Sequence, residues 1–193
     1  MNGKQSVIAV AKALLGKYSA YRILTLRAED EPAGPSATAS KFVLREIDRH
    51  AVASSADQVM RDQAWYCGEG CEAFGCFSAE HLVGVCFYWH GARYNLHDFW
   101  PLAAREAKLV QIVTSPDMRG RGVATALIEY SAPIVIERGF DRLYARIWHS
   151  NLASLRAFER TGWYRIGTVV EVNPLRCSKP WRFVMRRHHR PVR

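Results

Sequence analysis

Between residues 108 and 162 the sequence spells out a strand, a glycine turn, a long helix, a second strand and a second helix, and few folds accommodate that run. Lys108 to Thr114 (KLVQIVT) is a short apolar stretch of buried-strand type. The next segment, Pro116-Asp-Met-Arg-Gly-Arg-Gly-Val-Ala124, leads into a helix predicted over Gly122 to Arg138. There Ala124, Leu127, Ile128, Ile134 and Val135 recur at helical spacing; Pro133 predicts a bend, and Gly139 ends the helix. Arg142 to Ile147 is the second strand. Ser150 or Asn151 then caps a helix running to about Thr161, with Gly162 as its stop signal.

The rest of the chain reads more weakly. Ser6 to Lys17 is predicted helical, Tyr21 to Leu26 alternates as a strand does, and Ala28 to Ser40, with Pro32, Gly34 and Pro35, is a loop. Lys41 to Ile47 reads as a strand and the stretch to Ala64 as helix. Ala73 to Phe77 and Leu82 to Trp89, joined by a polar turn, form a hairpin. His90 to Pro101 is an aromatic loop, and Tyr164 to Val172 and Trp181 to Met185 are closing strands. Strands before and after a strand–helix–strand–helix core make a mixed α/β sheet with flanking helices. The expected organisation is a single domain over residues 1–193, with a helical extension at 1–20 and a basic tail at 186–193.

Composition excludes whole classes. At 49% hydrophobic and 23% charged, the chain is neither disordered nor fibrous, and no apolar run reaches the roughly 20 residues of a membrane span. No signal peptide is recognised at the start, so a cytoplasmic protein is expected. The net charge of +9 suggests nucleic acid until its distribution is considered. Residues 176–193 hold seven Lys/Arg and no acid, so seven of the nine excess charges lie in a terminal tail rather than on a basic face. Five cysteines with the irregular spacing Cys67-x3-Cys71-x4-Cys76 match neither a disulfide framework nor a zinc site. Buried free thiols and no metal are expected.

The turn at 119–124 carries the chemistry. Gly120 and Gly122 let the backbone turn tightly beside a ligand, and the unpaired N–H groups of the helix that begins there point into the same turn. With Arg119 and Arg121 adding charge, this is an anion site suited to a phosphate. A Walker A loop is absent, and the third glycine of a dinucleotide fingerprint is replaced by Thr125. A plain glycine turn would look similar.

Two ordered motifs narrow the choice. Arg119-x-x-Gly122-x-Ala124, with Pro116 three residues earlier, resembles the Arg/Gln-x-x-Gly-x-Gly/Ala signature of the GCN5-related N-acetyltransferases. Asn151-x-x-Ser154-x-x-x-Phe158-Glu-Arg-x-Gly162-Trp163 resembles that family's second signature. The resemblance is strong over residues 107–163. It implies the acyl-CoA N-acyltransferase fold, a mostly antiparallel sheet with a parallel central pair. It also implies acetyl transfer from acetyl-CoA to an amine in a ternary complex. The pyrophosphate would sit on Gly120, Gly122, Val123 and Ala124. The pantetheine arm would run between splayed strands, Val113 or Thr114 would polarise the thioester carbonyl, and Asn151, Ser154 and Phe158 would face the cofactor. Phe158 departs from the family, which often has a proton-donating tyrosine there. Water, Ser154 or Tyr164 would substitute, or the thiolate would leave unaided. Glu106 is the candidate base, with His149 and His97 as rivals.

The acceptor expected is the primary amine of a small molecule, amino sugars included; Trp148 and His149 at a strand's C-terminal end and Tyr94, His97, Asp98, Phe99 and Trp100 of the aromatic loop are the candidates to line its pocket. Two other readings compete: an acyl-CoA sensor that has lost turnover, motivated by Phe158, and a nucleic-acid binder acting through the tail. No membrane partner is expected, and a homodimer is open.

Overall fold

The structure is a computed structural model that describes residues 17–30, 39–97, 99–173 and 181–186. Eight strands form one sheet: β1 (Lys17–Arg27), β2 (Val43–Glu46), β3 (Cys71–Ser78), β4 (His81–Trp89), β5 (Glu106–Thr114), β6 (Arg142–Trp148), β7 (Tyr164–Asn173) and β8 (Trp181–Arg186). Their order across the sheet is β2-β3-β4-β5-β6-β1-β7-β8. Every neighbouring pair is antiparallel except β5 and β6, the parallel central pair. The helix between β5 and β6 makes that pairing possible, since parallel neighbours need a crossover.

The helices are α1 (Arg49–Ala53), α2 (Gln58–Arg61), α3 (Gly91–Tyr94), α4 (Val123–Glu137) and α5 (Leu152–Arg160). One face of the sheet packs Leu24, Phe74, Tyr88 and Leu109 against Leu127, Ile128 and Val135 of α4 and Phe158 of α5. On the other face, Val85 and Phe87 meet Val52 and Met60 of α1 and α2. Further across that face Ile23, Tyr144 and Val169 meet Phe99 and Trp100. Gly84 in β4 lets α4 approach closely, because a Cβ there would lie 2.5 Å from Val123 Cγ1. The first turn of α4 is thereby seated directly on the sheet.

Several boundaries differ from the sequence reading. Residues 17–20, expected at the end of a helical extension, belong to β1 and pair with residues 170–173 of β7. That partner is some 150 residues away, so no local pattern announces it. Arg186, expected in the basic tail, pairs with Gly167 at the end of β8. The helix expected up to Ala64 divides in two because Asp48 and Asp57 each cap a separate start, accepting from Ala51 N–H and Val59 N–H. The aromatic loop contains α3, and α4 runs through Pro133 without interruption. Residues 6–16 of the helix read at 6–17, most of the loop at 28–40, Asp98 of the aromatic loop, and residues 187–193 lie outside the described residues.

Candidate active site

Strands β5 and β6 pair only from Glu106↔Arg142 to Leu109↔Ala145 and then part. Beyond that point β5 stays with β4 while β6 stays with β1, so a cleft opens between the C-terminal ends. A bulge drives the parting. Phe87 pairs with Gln111 and Tyr88 with Leu109, which leaves Val110 as an extra residue in β5. A bulge increases local twist and bends its strand, here away from β6. The resulting cleft of about 140 Å³ is lined by Val110, Gln111, Ile112, Arg146, Trp148 and Phe158, with Asn151 and Ser154 at its rim.

The cleft continues into a wider hollow of about 640 Å³ over the start of α4. Gly120 has φ 74° and Gly122 φ 88°, both left-handed, and Gly122 is the residue before the first helical turn. No side chain caps this helix, and its first intrahelical backbone bond here is Ala126 N–H to the Gly122 carbonyl. The N–H groups before it are therefore presented to the hollow. Arg119, Val123 and Ala124 line the hollow, as do Val113 and Thr114. Asn151 caps α5 by accepting from Ser154 N–H at 3.1 Å and borders both spaces. A second hollow of about 550 Å³, between the α1–α2 connection and the β3–β4 turn, has no helix start opening into it from a glycine turn.

Residue by residue, the structure groups the candidates as follows. Arg119, Gly120, Gly122, Val123, Ala124, Asn151 and Ser154 share the groove, whereas exposed Arg121 does not line it. Val113 and Thr114 belong to the wider hollow, and the apex of the cleft is the Val110 bulge instead. The bulge depends on pairing register, which periodicity does not encode. Arg156 and Arg160, one turn apart on α5, also face the hollow. Their i, i+4 spacing after a recognised cap was the signal that could have placed them on one face of the helix beside Asn151.

The candidate proton-transfer groups fall in different places. Glu106 stands at the closed end of the pair, about 10 Å of strand before the parting at Leu109. Its carboxylate accepts from the Tyr144 hydroxyl at 3.0 Å and from Ala103 N–H at 2.8 Å. The His149 ring donates through Nδ1 to the Ala20 carbonyl at 3.1 Å, towards β1. Burial, together with Lys108 and Arg146, pushes His97 down to about 4, which makes it a weak proton acceptor. Tyr164 pairs with Thr25, level with Tyr144, and its charged neighbours are Asp30, Arg27, Arg142 and Glu29 at the closed end. It therefore stands apart from the cleft. Cys67, Cys71, Cys76 and Cys86 are free thiols, and burial pushes the last three up to about 12. Among the described residues no group of three His, Cys, Asp or Glu is placed to hold a metal.

The splayed strands and the glycine turn lie within a longer match: residues 41–163 fit the model of the Acetyltransferase (GNAT) family. The chain belongs to the GNAT family. Its fold is shared with GNAT structures of low sequence identity. One, from Sphaerobacter thermophilus, has a TM-score of 0.58 at 15% identity, covering 91% of this chain and 58% of that one. Another, from Colwellia psychrerythraea, has a TM-score of 0.57 at 12% identity, covering 88% and 61%. A third, described as a putative acetyltransferase from Novosphingobium aromaticivorans, has a TM-score of 0.55 at 16% identity, covering 81% and 64%. The chain thus spans about six-tenths of the length of these GNAT proteins. Among curated protein sequences none matches. No helix among the described residues is long and apolar enough to cross a membrane.

Phe158, the departure from the GNAT signature, is 1% exposed and packs edge-on against Trp163 at 5.0 Å. Its ring lines the cleft but has no proton to give. In Phe158→Tyr, kcat should change by less than tenfold, since a thiolate is a tolerable leaving group near neutral pH. A gain towards the ~10²-fold of a positioned acid, measured by thiol release, would show that protonation limits turnover.

Proposed function

We propose that the protein transfers an acetyl group from acetyl-CoA to the primary amine of a small molecule by direct attack in a ternary complex. The observation that carries this is the continuous groove joining the glycine turn to the cleft between β5 and β6. At one end, N–H groups at the start of α4, with Arg119 and from α5 Arg156 and Arg160, hold the phosphates. Along the cleft the free edge of β5 pairs with pantetheine amides as an added strand would. The N–H of Val110, the residue left out of the β4–β5 register, stabilises the oxyanion at the apex. Bound acetyl-CoA supplies a thioester carbon open to attack. The amine nitrogen forms its bond to that carbon, the carbon–sulfur bond breaks, and the amine proton must leave.

Glu106 takes that proton through water, since its distance along the strand forbids direct contact. Glu106→Gln should lower kcat about 10²-fold, with acetyl-CoA affinity retained in calorimetry. More than half the activity remaining would transfer the role to His149. An acyl-CoA sensor is the second reading, favoured by Phe158 in the cleft. Thiol release with a panel of primary amines separates the two, because a sensor binds acetyl-CoA without turnover. The free thiols support a reducing compartment such as the cytoplasm.

A further inference from the structure

On the face of the sheet away from α4, three cations converge on one ring. The guanidinium of Arg146 lies 4.1 Å from the Phe99 centroid, that of Arg182 4.8 Å, and the Lys108 ammonium 5.3 Å. Arg146 also lies 4.8 Å over Tyr21, and Lys108 is 5.5 Å from Tyr94. Among the described residues, the nearby carboxylates have partners other than Arg146 and Lys108. Arg182 is paired with Glu171 at 2.9 Å, and both Glu106 oxygens accept hydrogen bonds from Tyr144 and Ala103. Arg146, on the wall of the cleft just past the last paired residue, makes no ion pair among the described residues.

Lys108 makes the cluster more demanding. It is 2% exposed, and its ammonium has no hydrogen-bond partner among the described residues. Buried charges in folded proteins are normally paired. Here a buried, unpartnered ammonium sits beside an unpaired guanidinium at the mouth of the cleft where amine and thioester meet. Aromatic stacking holds the Arg146 plane but leaves its forked N–H donors free for a planar or tetrahedral anion.

We propose that the acceptor amine carries an anionic group, a carboxylate or a phosphate, that docks on Arg146 over the Phe99 ring within the field of Lys108. This rests on the acetyl-transfer reading above and narrows its substrate class. Neutral amines of the same skeleton lack the partner this face requires. Arg146 is a specificity-determining residue: it positions the amine through the anion and takes no part in the bond change.

The test uses matched pairs of amines in a thiol-release assay with the full chain. The pairs are glucosamine 6-phosphate against glucosamine, and α-amino acids against the amines left when the carboxylate is removed. At least one anionic member should exceed its neutral partner tenfold or more in kcat/KM, mainly through KM. The two kinds of pair tell a phosphate from a carboxylate. In Arg146→Gln that advantage should fall to near parity. Where turnover is too slow to read, calorimetry of the same pairs on CoA-saturated protein replaces it, with the same expected order. Equal use or binding of charged and neutral partners, or an advantage that survives Arg146→Gln, overturns the proposal. Loss of the acetyl-transfer reading shows differently, as failure of the wild type to bind acetyl-CoA.

Discussion

Gly120→Asp is expected to weaken acetyl-CoA binding at least a hundredfold without unfolding the protein. Gly120 sits at φ 74°, and a Cβ there would meet nothing within 4 Å, so the added side chain has room. Asp and Asn enter this left-handed region more readily than other L-residues, which keeps the strain small. The new carboxylate would stand in a hollow built from helix N–H groups and arginines, where the phosphates are proposed to bind. At an effective dielectric of 20, two like charges about 5 Å apart repel by roughly 3 kcal/mol, close to a hundredfold in affinity. Gly120→Asn has nearly the same shape without the charge and should cost less than fivefold. Calorimetry of both variants, with melting curves alongside, separates charge from shape. If Gly120→Asp binds as well as Gly120→Asn, the phosphates are not at this turn. Position 122 is a poorer probe. Its φ of 88° at the head of α4 would strain a branched residue, so a lost affinity there would confuse binding with folding.

Lys108→Met should stabilise the fold while impairing use of an anionic acceptor. Burial, with Arg146 and Arg182 nearby, pushes the Lys108 ammonium from 10.5 down to about 7. The unfolded chain holds its proton up to about pH 10.5, whereas the folded chain releases it near pH 7. Below pH 7 both states are charged, and the native state carries the whole penalty of a buried, unpartnered ammonium. Between pH 7 and 10.5 the unfolded state binds more protons, so wild-type stability rises with pH across that window. Above it the penalty is gone. Methionine has a similar length and no charge to desolvate. The variant should therefore be more stable by roughly 2–4 kcal/mol at pH 6, with the gain shrinking by pH 9.5. Urea unfolding at those two pH values measures it. A gain of equal size at both would mean that packing, not charge, is responsible. A stabilising change that costs function is what a polar binding group held at the expense of stability should show.

The acidic caps divide the region before β3, and their effect was only partly legible. Asp48 and Asp57 are good cap residues in the sequence, yet a weak apolar pattern reads straight through them as one helix. The glycine turn and the Asn151 cap were legible because each rests on a local need. One is a left-handed backbone at a helix start; the other is a side-chain oxygen for Ser154 N–H. Phe158 was visible as a missing hydroxyl. Arg146, which lines the cleft, was not visible as a candidate, because a lone arginine in a strand carries no pattern.

By itself, then, the sequence determined the central strand–helix–strand–helix run, the parallel pair it forces, and the glycine turn at the head of its first helix. These depend on apolar period, cap chemistry and glycine geometry within about a dozen residues. Only the tertiary structure decided that β1, first among the described strands, lies between β6 and β7. The same is true of the Val110 bulge that opens the cleft, and of the three cations gathered on Phe99 from β5, β6 and β8. The physical reason is reach. Thr25 bonds the Leu143 carbonyl and Tyr21 faces Trp148, contacts spanning well over 100 residues. Register and neighbour choice are set by the packing of whole faces, and no local stretch of side chains specifies them.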